Sequence, residues 1–144
     1  MDPAEDSALP TVEFAFPGTL RDRLVAAVLD GTKTSTTGLL TDYERGNEPL
    51  PAVGDRFAVI DSAGRAVAVI EMTEVRLAPL GDVDLAHARD EGEGQETVAL
   101  WRADHEAFWH SDKMRAGLGD PSFTVDDTTT VVLERFRVVA REVS

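Results

Sequence analysis

Gly31-Thr32-Lys33-Thr34-Ser35-Thr36 marks a switch in the chain from helix to extended strand. Behind it, Leu20, Leu24, Ala27 and Val28 recur at helical spacing, with Arg21, Asp22 and Arg23 mostly on the other face. Thr19 is the expected N-cap of that helix, with Asp22 at the capping-box position. Asp30-Gly31 stops it, and Gly31 suits a left-handed residue just past the last turn. Ahead, the β-branched polar run favours an extended chain. In a strand, Lys33 and Ser35 point one way and Thr34 and Thr36 the other. A twist or bulge just after the turn would bring Lys33 and Thr36 together. From spacing alone, the plainer reading is favoured: a solvated lysine at a strand start, with Thr as filler.

Working outward, Val12, Phe14 and Phe16 alternate with polar or small neighbours and predict an extended entry segment ended by Pro17-Gly18. Gly38 to Pro51 reads as a surface loop carrying Tyr43. Pro51-Ala52-Val53-Gly54-Asp55 is a turn before a strand. Arg56 to Asp61 and Ala66 to Val75 are strand-like and joined by the tight turn Ser62-Ala63-Gly64-Arg65, with the second running on to Leu77. Asp82 to Arg89 is a short helix with Val83, Leu85 and Ala86 inward. Thr97 to Met114 is the second main helix, burying Leu100, Trp101, Phe108 and Trp109, with His105 between its turns. After a loop from Gly117 to Asp127, Thr128 to Glu142 is the last strand, and its Val131-Val132-Leu133 and Val138-Val139 runs place it centrally. This order predicts an α+β fold, its strands curled into a small barrel flanked by helices. No repeat or linker divides it. One domain over residues 11–144 is expected, after a mobile acidic tail from Met1 to Pro10.

The sequence has 144 residues, enough for one domain with a proper core. It has no Cys, which excludes disulfides and thiolate metal sites. Lys and Arg number 14 against 27 Asp and Glu, a formal net charge of -13. Such a field repels long polyanions, so duplex DNA is not an expected partner. A small or weakly charged substrate in a local cleft is compatible with it. No run of 18 apolar residues marks a membrane span, and the acidic start lacks a signal-peptide core. A cytoplasmic location is the expectation.

Few motifs carry chemistry by themselves. His105 and His110 are five apart and face different sides of a helix, so no metal-binding histidine pair exists. No metal or cofactor is expected. Phosphate loops and the nucleophile elbow of serine hydrolases are absent. Glu91 and Glu93 lie in a glycine-flanked stretch, where the backbone can approach another element closely. As residues alone they read as a solvated helix connection. The alternative is a carboxylate aimed at a cleft and partnering Lys33.

Five stretches, in order, give the chain a family likeness. They are Gly31-x-Lys33-x-x-Thr36, Pro51-x-x-Gly54-Asp55, His87-Ala88-Arg89-Asp90-Glu91-Gly92-Glu93-Gly94, Trp101-Arg102-x-x-His105-x-x-Phe108-Trp109, and Val131 to Val139. Together they resemble the ASCH domain family, whose fold is related to the PUA β-barrel, over roughly Phe14 to Val139. The resemblance implies recognition of RNA or a nucleoside in a cleft beside the barrel. One branch is similar to amidohydrolases that release the acyl group from N4-acetylcytidine. Its catalytic Lys and Thr map onto Lys33 and Thr36, and its catalytic Glu onto Glu91. Another member is a ribonuclease on single-stranded RNA, and a metal-independent ribonuclease or a non-catalytic RNA-binding module are the rival expectations. Gly31, Ser35, Tyr43, Glu93, Trp101 and Arg102 are the expected substrate contacts. Tyr43, Trp101 and Trp109 are candidates to stack on a base, with core packing the favoured role for the two Trp. The chain departs from the small amidohydrolase pattern after Glu91, inserting the helix from Trp101 to Met114 and a longer loop to Phe123.

Overall fold

The computed structural model describes residues 9–141. Residues 1–8 of the expected tail and Glu142 of the expected last strand lie outside that range. The Pro10 carbonyl accepts a hydrogen bond from the Ala58 N–H at 2.9 Å, so the chain is tied to the sheet from position 10 onward. In order the elements are β1 (Thr11–Val12), α1 (Thr19–Asp30), β2 (Ser35–Leu39), α2 (Leu40–Arg45), β3 (Arg56–Ile60), β4 (Ala66–Pro79), α3 (Leu85–Asp90), α4 (Val98–Trp109), α5 (Asp112–Leu118) and β5 (Thr130–Arg141). A short 3-10 turn at Leu80–Asp82 links β4 to α3.

The strands form one sheet in the order β1-β3-β4-β5-β2, with β1 and β3 parallel and every other pair antiparallel. The α+β class is as expected. The barrel is not closed: β1 and β2 are the two edges, and no pairing joins them among the described residues. With only two residues, all paired to β3, β1 offers β2 no ladder to close on.

The central ribbon is β4 with β5, of 14 and 12 residues. Its register shifts between Val69/Ile70 and Met72/Glu74, and such bulges bend and twist a ribbon. The ribbon serves two cores. Phe136 of β5 packs with Phe14, Leu24, Val28, Ile70 and Met72 on the side of α1. Val131 and Leu133 pack with Leu39, Trp101, Trp109 and Leu118 on the side of α3, α4 and α5. A strand covered on both faces carries a continuous apolar run, which is what Val131-Val132-Leu133 announced.

Several boundaries moved. The expected helix from Thr97 to Met114 is two helices, because Ser111 accepts a hydrogen bond from the Met114 N–H and caps a new start. The expected loop from Gly38 holds the end of β2 and all of α2. The strand from Ala66 continues to Pro79. Asp84 caps α3, accepting from the His87 N–H, so α3 begins late and buries His87 and Ala88, while Ala86 is exposed. Gly18 occupies the cap position of α1, with Thr19 the first helical residue. Gly31 ends α1 in the left-handed region at φ 88°. No helix among the described residues is long and apolar enough to cross a membrane.

Candidate active site

The site forms where the α1–β2 junction meets the α3–α4 turn. The Lys33 N–H donates to Ala27 O at 3.0 Å and the Thr34 N–H to Asp90 O at 2.7 Å. Gly92, at φ 76°, lies directly on this backbone: a Cβ there would sit 2.8 Å from Lys33 N and from Thr32 C and O. The two segments therefore touch with no room for a side chain between them. The Thr34 carbonyl accepts from the Phe136 N–H at 3.1 Å, which turns the next carbonyl, Ser35 O, out of the free edge of β2. Lys33 Nζ reaches along that edge, donating to Ser35 O at 2.9 Å and to Glu91 O at 3.3 Å. It also lies 5.4 Å from the centre of the Phe14 ring.

Glu91 is the hub. Its Oε2 accepts from Thr37 Oγ1 at 2.7 Å and from Trp101 Nε1 at 2.8 Å. Its Oε1 accepts from His105 Nε2 at 3.1 Å and lies 3.7 Å from Lys33 Nζ. The proton positions follow from this network. His105 Nδ1 faces Trp101 O at 2.9 Å, so both ring nitrogens meet acceptors and His105 is an imidazolium, stacked on Trp101 at 4.2 Å. The Thr37 hydroxyl gives its one proton to Glu91, so it accepts from His87 Nε2 at 2.8 Å. That leaves His87 Nδ1 buried without a partner among the described residues.

Burial and charge oppose each other at each group. Burial acts to raise the Glu91 carboxyl, but the hydrogen bond from His105, the His87 ring 3.6 Å away and the charge of Lys33 hold it well below the usual carboxylate range. Burial lowers Lys33, and the charges of Glu91, Glu93 and Glu134 only partly offset it. Burial likewise acts to lower His105, but the hydrogen bond and charge of Glu91 outweigh it and raise the imidazole. Glu93 is raised, chiefly by burial. Glu134 is pushed up by burial to about 7, against the hydrogen bond from Tyr43 and the charge of Lys33.

Lys33 and Glu91 are thus brought together. Thr36 is placed differently: it pairs with Glu134 across β2 and β5, on the face opposite Ser35 and Thr37, and its side chain has no hydrogen bond among the described residues. Ser35 is buried and donates to His87 O at 2.9 Å, tying β2 to α3. Gly31 shapes the turn. Glu93 is half-buried at the rim of the cluster, beside a cavity of about 180 Å³ lined by Arg23, Leu24, Gly92, Glu93, Gln95 and Asp104. Tyr43 is half-buried, its hydroxyl donating to Glu134 Oε2 at 3.2 Å. Trp101 has no exposed surface to stack on a base, and Trp109 is almost as enclosed. Arg102 pairs with Glu106 and Asp127, outside the cluster.

Sequence reasoning missed Thr37, His87 and Glu134 as site residues, and saw His105 only as a histidine between the turns of a helix and within a family stretch. Strand alternation from Lys33 through Ser35 leads to Thr37, so that signal was present. Glu91, Glu93 and His105 bring donor atoms within 4.8 Å of one another, as a metal site would. A cation there would have to break the His105–Glu91 bond and sit beside the Lys33 ammonium, so this donor set does not fit a resident metal.

Comparisons agree with this architecture. An ASCH domain from Lactobacillus crispatus JV V101 is 26% identical, with a TM-score of 0.79 over 92% of this chain and 80% of that one. A protein of Enterococcus faecalis V583 is 25% identical, also with a TM-score of 0.79, over 92% of this chain and 77% of that one. No curated protein matches the chain significantly. The sequence pattern of the ASCH domain matches residues 12–140, which takes in every helix and all but the first residue of β1 and the last of β5, and the chain therefore belongs to the ASCH domain family.

Proposed function

We propose that the chain recognises a pyrimidine nucleoside, free or in short single-stranded RNA, and hydrolyses the N4-acyl amide of acylated cytidine. The observation that carries this reading is the buried Lys33–Glu91 pair, with Nζ held at the free edge of β2. Amide hydrolysis needs a nucleophile, a proton shuttle and stabilised charge. Burial makes Lys33 shed its proton more readily than a solvated lysine. The neutral amine takes a proton from the attacking water as oxygen bonds to the acyl carbon. It returns that proton to N4 as the carbon–nitrogen bond breaks, leaving cytidine and a carboxylic acid. Glu91 positions the amine through its carboxylate and its carbonyl. Thr37, Trp101 and His105 keep that carboxylate ionised. Thr36, on the opposite face of β2 beside Glu134, offers a hydroxyl to a substrate that reaches round the strand edge. The net charge of -13 favours a small substrate over long RNA.

A second reading is a nucleoside- or RNA-binding module without turnover. What favours it is the closure of the cluster, since Lys33 and Glu91 are each only 2% exposed. Incubation with N4-acetylcytidine and, separately, with a single-stranded oligoribonucleotide tests both. Release of cytidine and acetate is the expected result. Cleaved RNA without deacylation would replace the amidohydrolase by a ribonuclease. Saturable nucleoside binding with neither product would leave the binding module.

A further inference from the structure

A second buried carboxyl, Glu134, is near enough to Lys33 for their charges to interact. Glu134 lies on β5, 7% exposed, on the same face as Thr36, its partner across the strands. Tyr43 of α2 reaches over β2 to donate to Glu134 Oε2 at 3.2 Å. Glycine at position 38 gives the ring room: a Cβ there would be 3.3 Å from Tyr43 Cε2, closer than usual, and 3.9 Å from Glu134 Oε2, an ordinary contact. Nothing in the Lys33–Glu91 network bonds to Glu134, and Oε1 has no hydrogen-bond partner among the described residues. The groups facing it are Tyr43 from α2, Thr36 and Gly38 from β2, Val75 opposite on β4, and Lys33 at the strand edge. The charges of Glu48 and Asp42 bear on the Tyr43 phenol.

We propose that Glu134, steadied by Tyr43, is the specificity-determining residue that reads the nucleobase and selects cytosine over uracil. This rests on the pyrimidine-nucleoside reading above. The Tyr43 hydroxyl donates to Oε2, so Oε2 is the acceptor oxygen and the proton of the neutral acid sits on Oε1. A carboxyl in that state presents a donor beside an acceptor. Cytosine offers the matching edge, with N3 as acceptor next to the N4–H donor, and N4-acylation leaves one N4–H in place. Uracil offers the reverse at N3–H and O4, which meets the neutral acid donor to donor. Burial holds this carboxyl to about 7, so the neutral form is the main one below neutrality. Above it, the ionised group faces the N3 lone pair and the match is lost.

Equilibrium binding of cytidine and uridine at pH 6 and pH 8 tests this without any turnover. Wild type should prefer cytidine at pH 6 by about tenfold or more, the scale of one good bidentate contact, and lose most of that preference at pH 8. Glu134→Gln keeps a donor and an acceptor but cannot ionise, so it should keep the preference at both pH values. Glu134→Leu should abolish it. Cytidine preference that survives in Glu134→Leu would overturn the inference, as would equal pH profiles for wild type and Glu134→Gln, or no cytidine binding. Selective, pH-dependent binding without deacylation would support it while removing the amidohydrolase reading.

Discussion

At the scale of single residues, the site is defined by which carboxylate stays charged. Glu91 has a depressed pKa in the fold, so its contribution to stability is complete above the ordinary 4.5 and lost as pH falls through the folded value. His105 is raised, so its contribution is complete below the ordinary 6.5 and lost as pH rises through the folded value. Both are in full force between those two values. Glu91→Gln should therefore destabilise the protein most near pH 5.5, by about 3–5 kcal/mol, because it leaves Lys33 and His105 buried without their counter-charge. Thermal unfolding of the two proteins across pH checks this. Glu134 has the opposite sign. Its raised pKa favours folding fully below 4.5, and that contribution declines as pH rises through about 7. Glu134→Gln should gain about 1–3 kcal/mol relative to wild type between pH 4 and pH 8. Equal pH dependence in the two proteins would mean that Glu134 is not buried as described. Lys33 and Glu91 were legible in the sequence only through family likeness, since spacing alone favoured a solvated lysine. Glu134 was not legible, because it sits in an apolar run that reads as plain strand core.

At the scale of elements, the decisive contact is the α3–α4 turn pressed on the α1–β2 junction. The glycines around Glu91 suggested close approach in the sequence, and Gly92 makes it. Gly92→Ala would drive a Cβ into backbone at 2.8 Å, which cannot yield as a side chain does. It should displace Lys33 from Glu91 and cost at least about tenfold in turnover, since small misplacements at a reacting centre are expensive. Gly94→Ala is the control. It too has a positive φ, 81°, but meets nothing within 4 Å, so only the backbone strain of about 1 kcal/mol applies and turnover should persist. Comparable loss of turnover in both variants would show that strain, not contact, governs the turn. Strand and helix types were legible from periodicity, as Gly31 and the β4–β5 runs show. The break before α5 was not, because Ser111-Asp112 fits a polar helix face as well as a cap. Nor was the open sheet, since β1 pairs for two residues only and the sequence around Val12 does not reveal that length.

At the scale of the whole molecule, the net charge of -13 bounds the partners. Duplex DNA should bind no tighter than about micromolar at physiological salt, where non-specific contacts depend on Lys and Arg. A fluorescence titration with a labelled duplex measures this directly, and tighter binding would place a basic surface where none is described.

The central claim is that the Lys33 amine, made available by burial and held by Glu91, performs the hydrolysis. Steady-state deacylation of N4-acetylcytidine by wild type and Lys33→Arg, with folding confirmed by thermal unfolding, is the most direct measurement. Arginine keeps the positive charge but supplies no neutral amine near pH 7. Loss of at least about 100-fold in kcat, the lower range for general acid–base catalysis, is the predicted result. Retained turnover in Lys33→Arg would contradict the claim and leave position 33 only an electrostatic role.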